Sequence, residues 1–109
     1  MSKRHPVAER DVLASVLVAV TALPGAFLHR TNTGVGVAQN GRRIRFGQVG
    51  TADITGCVRG RYVAIEVKRP GGRQSPAQRV WQAACERAGG LYVLARSADE
   101  ALTALAVIP

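Results

Sequence analysis

The chain has 109 residues, enough for one packed domain that buries a little under about two-thirds of its unfolded surface, and too few for a second. Hydrophobic residues make up 47% and charged residues 20%, spread along the length, which excludes an intrinsically disordered chain. Fifteen Lys plus Arg against seven Asp plus Glu give a net charge of +8, which points to a polyanionic partner, nucleic acid first, although a basic surface also serves solubility alone.

The first residues lack the apolar core and small-residue cleavage site of an export signal, and no apolar run approaches the roughly 20 residues a bilayer needs. The longest, residues 12–23, reads as a core helix, and the chain is expected to be cytoplasmic, with no membrane partner. Cys57 and Cys85 lack the paired spacing of a zinc site and read as reduced core thiols, a disulfide being the alternative. No repeat or low-complexity linker interrupts the chain, so residues 1–109 read as one domain with a short basic tail at 1–5.

In chain order, Pro6 suits the first turn of a helix, and Val12, Leu13, Val16, Leu17, Val20 and Leu23 recur at helical spacing until Pro24-Gly25 stops it. Residues 26–30 read as a short strand. Asn32-Thr33-Gly34, Gly36 and Asn40-Gly41 then punctuate a loop or hairpin before the basic segment 42–46. Residues 51–58 and 61–68 are β-rich runs separated by Arg59-Gly60, the spacing of a tight antiparallel hairpin. Ser75-Pro76 opens a second helix as N-cap and first-turn residue, with Ala77, Val80, Trp81, Ala84, Cys85 and Ala88 on one face and Gly89-Gly90 as its stop. Residues 91–95 read as a buried strand, and Ser97 caps a third helix ending at Leu105, with Glu100 at the capping-box position. This order implies an α/β fold, a mixed sheet flanked by helices.

Acidic residues are scarce, and two of the seven, Asp53 and Glu66, lie inside the expected β-hairpin. Glu66 and Lys68 are two apart on one strand, so their side chains leave one face while Ile65 and Val67 leave the other. If Asp53 faces the same side, two carboxylates and a lysine converge in the way that holds a hard divalent cation such as magnesium. Such an ion at a scissile phosphate lowers the pKa of a water and neutralises developing charge. Lys68 is one of two lysines against thirteen arginines, and an ammonium suits water activation better than a guanidinium. The bland alternative is a same-face pair on an exposed sheet.

Asn32-Thr33-Gly34, Gly41-Arg42-Arg43-Ile44-Arg45-Phe46-Gly47, Gly50-Thr51-Ala52-Asp53-Ile54-Thr55-Gly56, Ile65-Glu66-Val67-Lys68-Arg69-Pro70-Gly71-Gly72 and Ser75-Pro76-Ala77-Gln78 follow one another in an order that resembles the VRR-NUC family. That family belongs to the PD-(D/E)XK nucleases, and the resemblance runs from about Glu9 to the last helix. It implies a restriction-endonuclease-like core and a magnesium-dependent DNA endonuclease, with manganese able to substitute. It further implies that Asp53, Glu66, the Val67 backbone carbonyl and the helix-one carboxylate Glu9 bind the cation, that Lys68 assists the attacking water, and that Gln78 completes the motif. Glu9 stands three and four residues before Val12 and Leu13, on or beside the buried stripe, where a carboxylate needs a partner or a metal. Gln78, three residues after Ser75, equally fits a capping box. Gln82 lies one turn further on, without an assigned role, and Trp81 reads as core.

Arg42, Arg43, Arg45, Arg69 and Arg73 flank the expected site, where they would neutralise phosphates, and Gly71-Gly72 gives a flexible loop whose backbone can approach a nucleic acid closely. His29, beside Arg30, is suited to touching phosphate but not to catalysis, and Phe46, Tyr62 and Tyr92 are too few for a stacking platform. The resemblance implies branched or junction DNA as substrate and a homodimer as the working unit, in a phage or bacterial setting of DNA repair. The competing readings are a non-catalytic nucleic-acid-binding module and a basic structural protein of a larger assembly.

Overall fold

The structure, a computed structural model, describes residues 7–31, 34–46 and 48–109; the basic tail 1–5, Pro6, Asn32, Thr33 and Gly47 lie outside the described residues. Helix α1 (Glu9–Thr21) buries Val12, Val16 and Val20, with Leu13, Leu17 and Leu23 packed alongside. It ends three residues before Pro24, because the Thr21 hydroxyl donates to the Leu17 carbonyl at 2.6 Å and the chain tightens into a turn from Val20 to Leu23. Strand β1 (Ala26–Arg30) follows as expected. The glycine-punctuated segment resolves as a hairpin, β2 (Gly34–Val37) against β3 (Arg43–Phe46), forming a separate two-stranded sheet.

Strands β4 (Ile54–Val58) and β5 (Arg61–Val67) form the expected hairpin. Arg59 and Gly60 both have positive φ, 46° and 84°, the two-residue turn whose twist matches the flanking strands. The expected strands at 51–58 and 61–68 each lose an end. Asp53 stands just ahead of β4 because its side chain, rather than a backbone carbonyl, takes the Val67 N–H. Lys68 stands just past β5. Helix α2 (Pro76–Arg87) carries the chain over to β6 (Leu91–Ala95), which pairs parallel to β5, and α3 (Ala98–Leu105) completes the fold. The main sheet runs β1-β4-β5-β6, antiparallel but for its last pair. The molecule is thus mixed α/β, a four-stranded mixed sheet flanked by helices.

Alternation along the strands divides the sheet into unequal layers. Leu28, Ile54, Val58, Val63, Ile65, Val67, Val93 and Ala95 pack on the buried residues of α1 and on Ala101, Leu105 and Ile108, forming the main core. On the opposite face Ala52, Ala64 and Tyr92 meet Cys85, with Trp81 half-buried against them. The expected apolar face of α2 is therefore only partly used. Val80 is 70% exposed, and Ala84 and Ala88 are exposed, because α2 packs along β6 and leaves the β1 and β4 side of the sheet uncovered. Cys57 lies on that uncovered side and is exposed, so of the two thiols only Cys85 is a core residue, and both are free. No helix among the described residues is long and apolar enough to cross a membrane.

Ser75 caps α2 as expected, its hydroxyl accepting from the Gln78 N–H at 3.2 Å while the Gln78 carboxamide oxygen accepts from Ser75 N–H at 2.8 Å. The cap of α3 differs in detail. Ser97 accepts from Glu100 N–H, but the Glu100 carboxylate reaches past the N-cap to the Arg96 N–H at 3.2 Å. Arg96 also donates to the Gly72 carbonyl at 3.0 Å, which ties the Gly71-Gly72 segment into a held turn instead of a free loop.

Gly56 has φ 151° opposite Leu28 in β1, and a Cβ there would collide with the Phe27 carbonyl. Gly56→Ala is expected to cost about 3 kcal/mol and lower the melting temperature by about 15 °C, read by thermal denaturation.

Candidate active site

The β4–β5 register pairs Ile54 with Ile65 and Thr55 with Ala64, so one step further toward the strand ends places Asp53 across from Glu66. Residues directly opposite in an antiparallel pair share a face, and here it is the face away from the main core. Asp53 is fixed from two sides. Its carbonyl accepts from Thr31 N–H at 2.8 Å, and its carboxylate oxygen Oδ2 accepts from Val67 N–H at 2.8 Å. The chain ahead of it is pressed against α2 at Gly50, where φ is 85° and an added Cβ would fall 2.6 Å from the Ala77 carbonyl carbon.

Glu66 is 2% exposed, the buried charged residue among the described positions. Gln78 reaches it from the first turn of α2, its Nε2 donating to Oε1 at 3.1 Å while its Oε1 and N–H hold the capping box. The two roles offered for Gln78, cap and site residue, are therefore served by the two ends of one carboxamide. The other oxygen of Glu66, Oε2, has no hydrogen-bond partner. An ionised oxygen left so is costly inside a protein, and it is relieved by a proton or by a cation.

The Glu66 carboxyl is pushed up to about 8 from its ordinary 4.5. Burial is the largest cause, followed by the neighbouring negative charge of Asp53; Lys68 opposes them, and Glu9 adds a small upward push. Tyr92 on β6 shares this environment. Its hydroxyl accepts from Gln74 Nε2 at 3.1 Å, and burial, with smaller pushes from Glu66 and Asp53, holds it well above the usual phenol range despite that bond. Gln74 also donates to Gln82 Oε1 at 2.9 Å, which gives Gln82 a positioning contact one turn beyond Gln78.

The remaining expected site residues stand further out. Lys68 is half-buried at the end of β5, its N–H donating to the Ala95 carbonyl at 3.0 Å. Glu9 shares the angular position of Val16 and Val20 but is exposed, because it is the first residue of α1, a turn ahead of the first buried position; burial thus gives it no need of a partner. Arg42, Arg43, Arg69 and Arg73 are exposed, and the Arg45 side chain lies outside the described residues. Tyr92, Gln74 and the Thr31–Thr55 hydroxyl pair at 3.0 Å were not legible as site neighbours, since only the parallel register of β6 and the pairing of β1 bring them there.

Among the described residues no group of three or more His, Cys, Asp or Glu is placed to cage a metal by itself. Magnesium does not require one, being usually held through one or two carboxylates while keeping waters and substrate phosphate oxygens. Asp53 and Glu66, oxygen donors of like charge with one oxygen unpartnered, fit that requirement.

Folded Glu66 keeps its proton to about pH 8, whereas the unfolded chain loses it near 4.5. Its stabilisation is therefore full below the lower value and is lost as pH rises through the upper one. In EDTA, the wild type is expected to lose about 2–4 kcal/mol from this source between about pH 5 and pH 9, seen as a falling melting temperature, and Glu66→Gln is expected to flatten that decline. No protein-family model matches the chain, and no curated protein or solved structure matches it, so the functional reading rests on these residues themselves.

Proposed function

We propose that this chain is a magnesium-dependent DNA endonuclease with the PD-(D/E)XK core that its motif order resembles, acting on branched DNA by shape rather than by sequence. The observation that carries this reading is the buried Glu66 carboxylate, facing Asp53, with its Oε2 unpartnered. A structural carboxylate at such a position would be expected to have its oxygens satisfied, whereas a metal-binding one keeps an oxygen free.

In this reading Asp53, Glu66 and the Val67 carbonyl hold the ion, with exposed Glu9 reaching it through water. The bound magnesium would polarise the scissile phosphate and lower the pKa of the attacking water. Lys68, beside Glu66 on the same face, orients that water and takes up part of the phosphate charge. Gln78 holds Glu66 Oε1 and leaves Oε2 for the ion. Arg42, Arg43, Arg69 and Arg73 are exposed and suited to phosphates on either side of the cut. A homodimer, with two sites addressing opposed strands, belongs to the same proposal. A binding module would have no need of a buried unpartnered carboxylate, which is the reason to prefer the enzyme.

Labelled four-way junction, flap and plain duplex DNA are expected to be cut with magnesium or manganese and left intact with EDTA, with Asp53→Ala inactive though folded. Binding without cutting on all three, whatever the metal, would overturn the enzyme. Magnesium is also expected to raise the melting temperature of the wild type at pH 8 to 9 and to leave that of Asp53→Ala unchanged. Gln78→Ala is expected to lower cleavage about 10–100-fold. Ser75→Ala, which removes the cap alone, is expected to cost about 1 kcal/mol of stability and leave cleavage near the wild-type rate.

A further inference from the structure

The face of the sheet that α2 leaves uncovered is ordered in rows by the strand register. Phe27, Cys57 and Tyr62 form one row across β1, β4 and β5; His29, Thr55 and Ala64 form the next; Asp53 and Glu66 lie across the one after that. Each row is two residues further along the strands, so the Phe27 row lies about 13 Å from the carboxylates and the His29 row about 7 Å. Phe27 is 77% exposed and Tyr62 44%, and His29 and Cys57 are exposed, while Thr55 and Ala64 in the middle row are buried, so the open surface lies along β1 and the Cys57–Tyr62 end. The Phe27 and His29 rings meet edge to face, centroids 6.0 Å apart. A large aromatic ring held this open on a sheet face has no packing role in the molecule itself.

The charge around this surface narrows what can cover it. Of the acidic residues, Glu9, Asp11, Glu86, Asp99 and Glu100 are on helices, which leaves the uncovered face with no carboxylate apart from the pair at its end. Arg30 leaves the opposite face with Leu28, so the cationic character that bears on this face is that of the whole chain, +8. A second copy of a chain with net charge +8 would approach this face against like charge, whereas a polyanion with flat apolar rings matches both the net charge and the open rings.

We propose that the exposed face of β1 is a stacking platform for unpaired bases, with Phe27 and His29 as its rings, and that the strand lying on it is the one whose phosphate enters at Asp53 and Glu66. This rests on the nuclease reading for the position of the phosphate, and it names the substrate class: DNA with a single-stranded stretch adjoining the cut, such as a flap or the open centre of a junction. Every base offers a ring face, so the platform selects unpaired structure and not sequence, while a continuous duplex keeps its bases stacked on one another and cannot use it.

The test is binding without metal, in EDTA, so that it does not depend on cleavage. Dissociation constants for a labelled oligo-dT single strand and for a fully paired hairpin are measured for wild type, Phe27→Ala, Phe27→Leu, Phe27→Trp and His29→Ala, with the fold of each checked by circular dichroism melting. Phe27→Ala and Phe27→Leu are expected to weaken single-strand binding about tenfold, His29→Ala less, and Phe27→Trp to keep it, all leaving the paired hairpin unaffected. Asp53→Ala is expected to bind the single strand at least as well as wild type. Equal losses on both ligands, or single-strand binding by Phe27→Leu at the wild-type level, would overturn the platform. So would a wild-type dimer that Phe27→Ala converts to monomer without change in single-strand affinity, which would give the face to a second copy. A protein that never cuts but shows the Phe27 effect keeps the platform and loses the nuclease; one that cuts without the effect does the reverse.

Discussion

A two-residue turn sets what every strand residue of the β4–β5 hairpin faces. With Arg59 and Gly60 both at positive φ, the pairing of Val58 with Arg61 propagates to Ile54 with Ile65, and Asp53 arrives opposite Glu66. Side chains alternate, so a register slip of one residue would send Ile54, Val63, Ile65 and Val67 out of the main core and bring the carboxylates into it. The hydrophobic requirement of one face thus enforces the electrostatic arrangement on the other. The unfavourable approach of two carboxylates is held in place by packing that has nothing to do with their chemistry.

Helix α2 connects that arrangement to the rest of the molecule. Its first turn is closed by the Gln78 carboxamide, and the same group reaches Glu66, so the start of the helix and the orientation of the buried carboxylate are set together. Toward its other end α2 makes a thin layer, with Cys85 buried, Trp81 half-buried and Val80 left in solvent. The helix is therefore held by hydrogen bonds at the site and by the burial of Cys85 toward its other end. Across the sheet, α1 and α3 form a much fuller layer on Ile54, Val58, Val63 and Ile65, and they give the strands a rigid backing.

Much of this was readable from residue order, because the signals were local. The helical recurrence from Val12 to Val20, the Ser75-Pro76 start, the Arg59-Gly60 spacing and the period-two placement of Glu66 each depend on near neighbours in the chain. What could not be read depends on which layers meet. Amphipathic spacing marked Val80 and Ala84 as an apolar face but does not say whether another layer covers it. Phe27 and His29 belong to a strand that was expected, yet their exposure follows from where α2 lies, not from their own alternation. Position 9 has the phase of the buried stripe, and its exposure comes from standing at the end of the helix, where spacing does not say how far the covering layer reaches. For Gln78, spacing alone offered a cap or a site residue, and it took the tertiary approach of α2 to β5 to let one side chain serve both.

Arg59 does more than turn the chain. Its guanidinium donates to the carbonyls of Pro24, Ile108 and Pro109, at 2.9, 2.9 and 3.1 Å, so the far end of the hairpin is latched to the segment after α1 and to the residues following α3. Asp53 and Glu66 lie at the opposite end of the same two strands, about 17 Å away along β4. Any polypeptide continuing beyond Pro109, whether a purification tag or a fused domain, would leave the body at the latched end. A tether placed there can immobilise the protein on a surface with the carboxylate end turned toward solution.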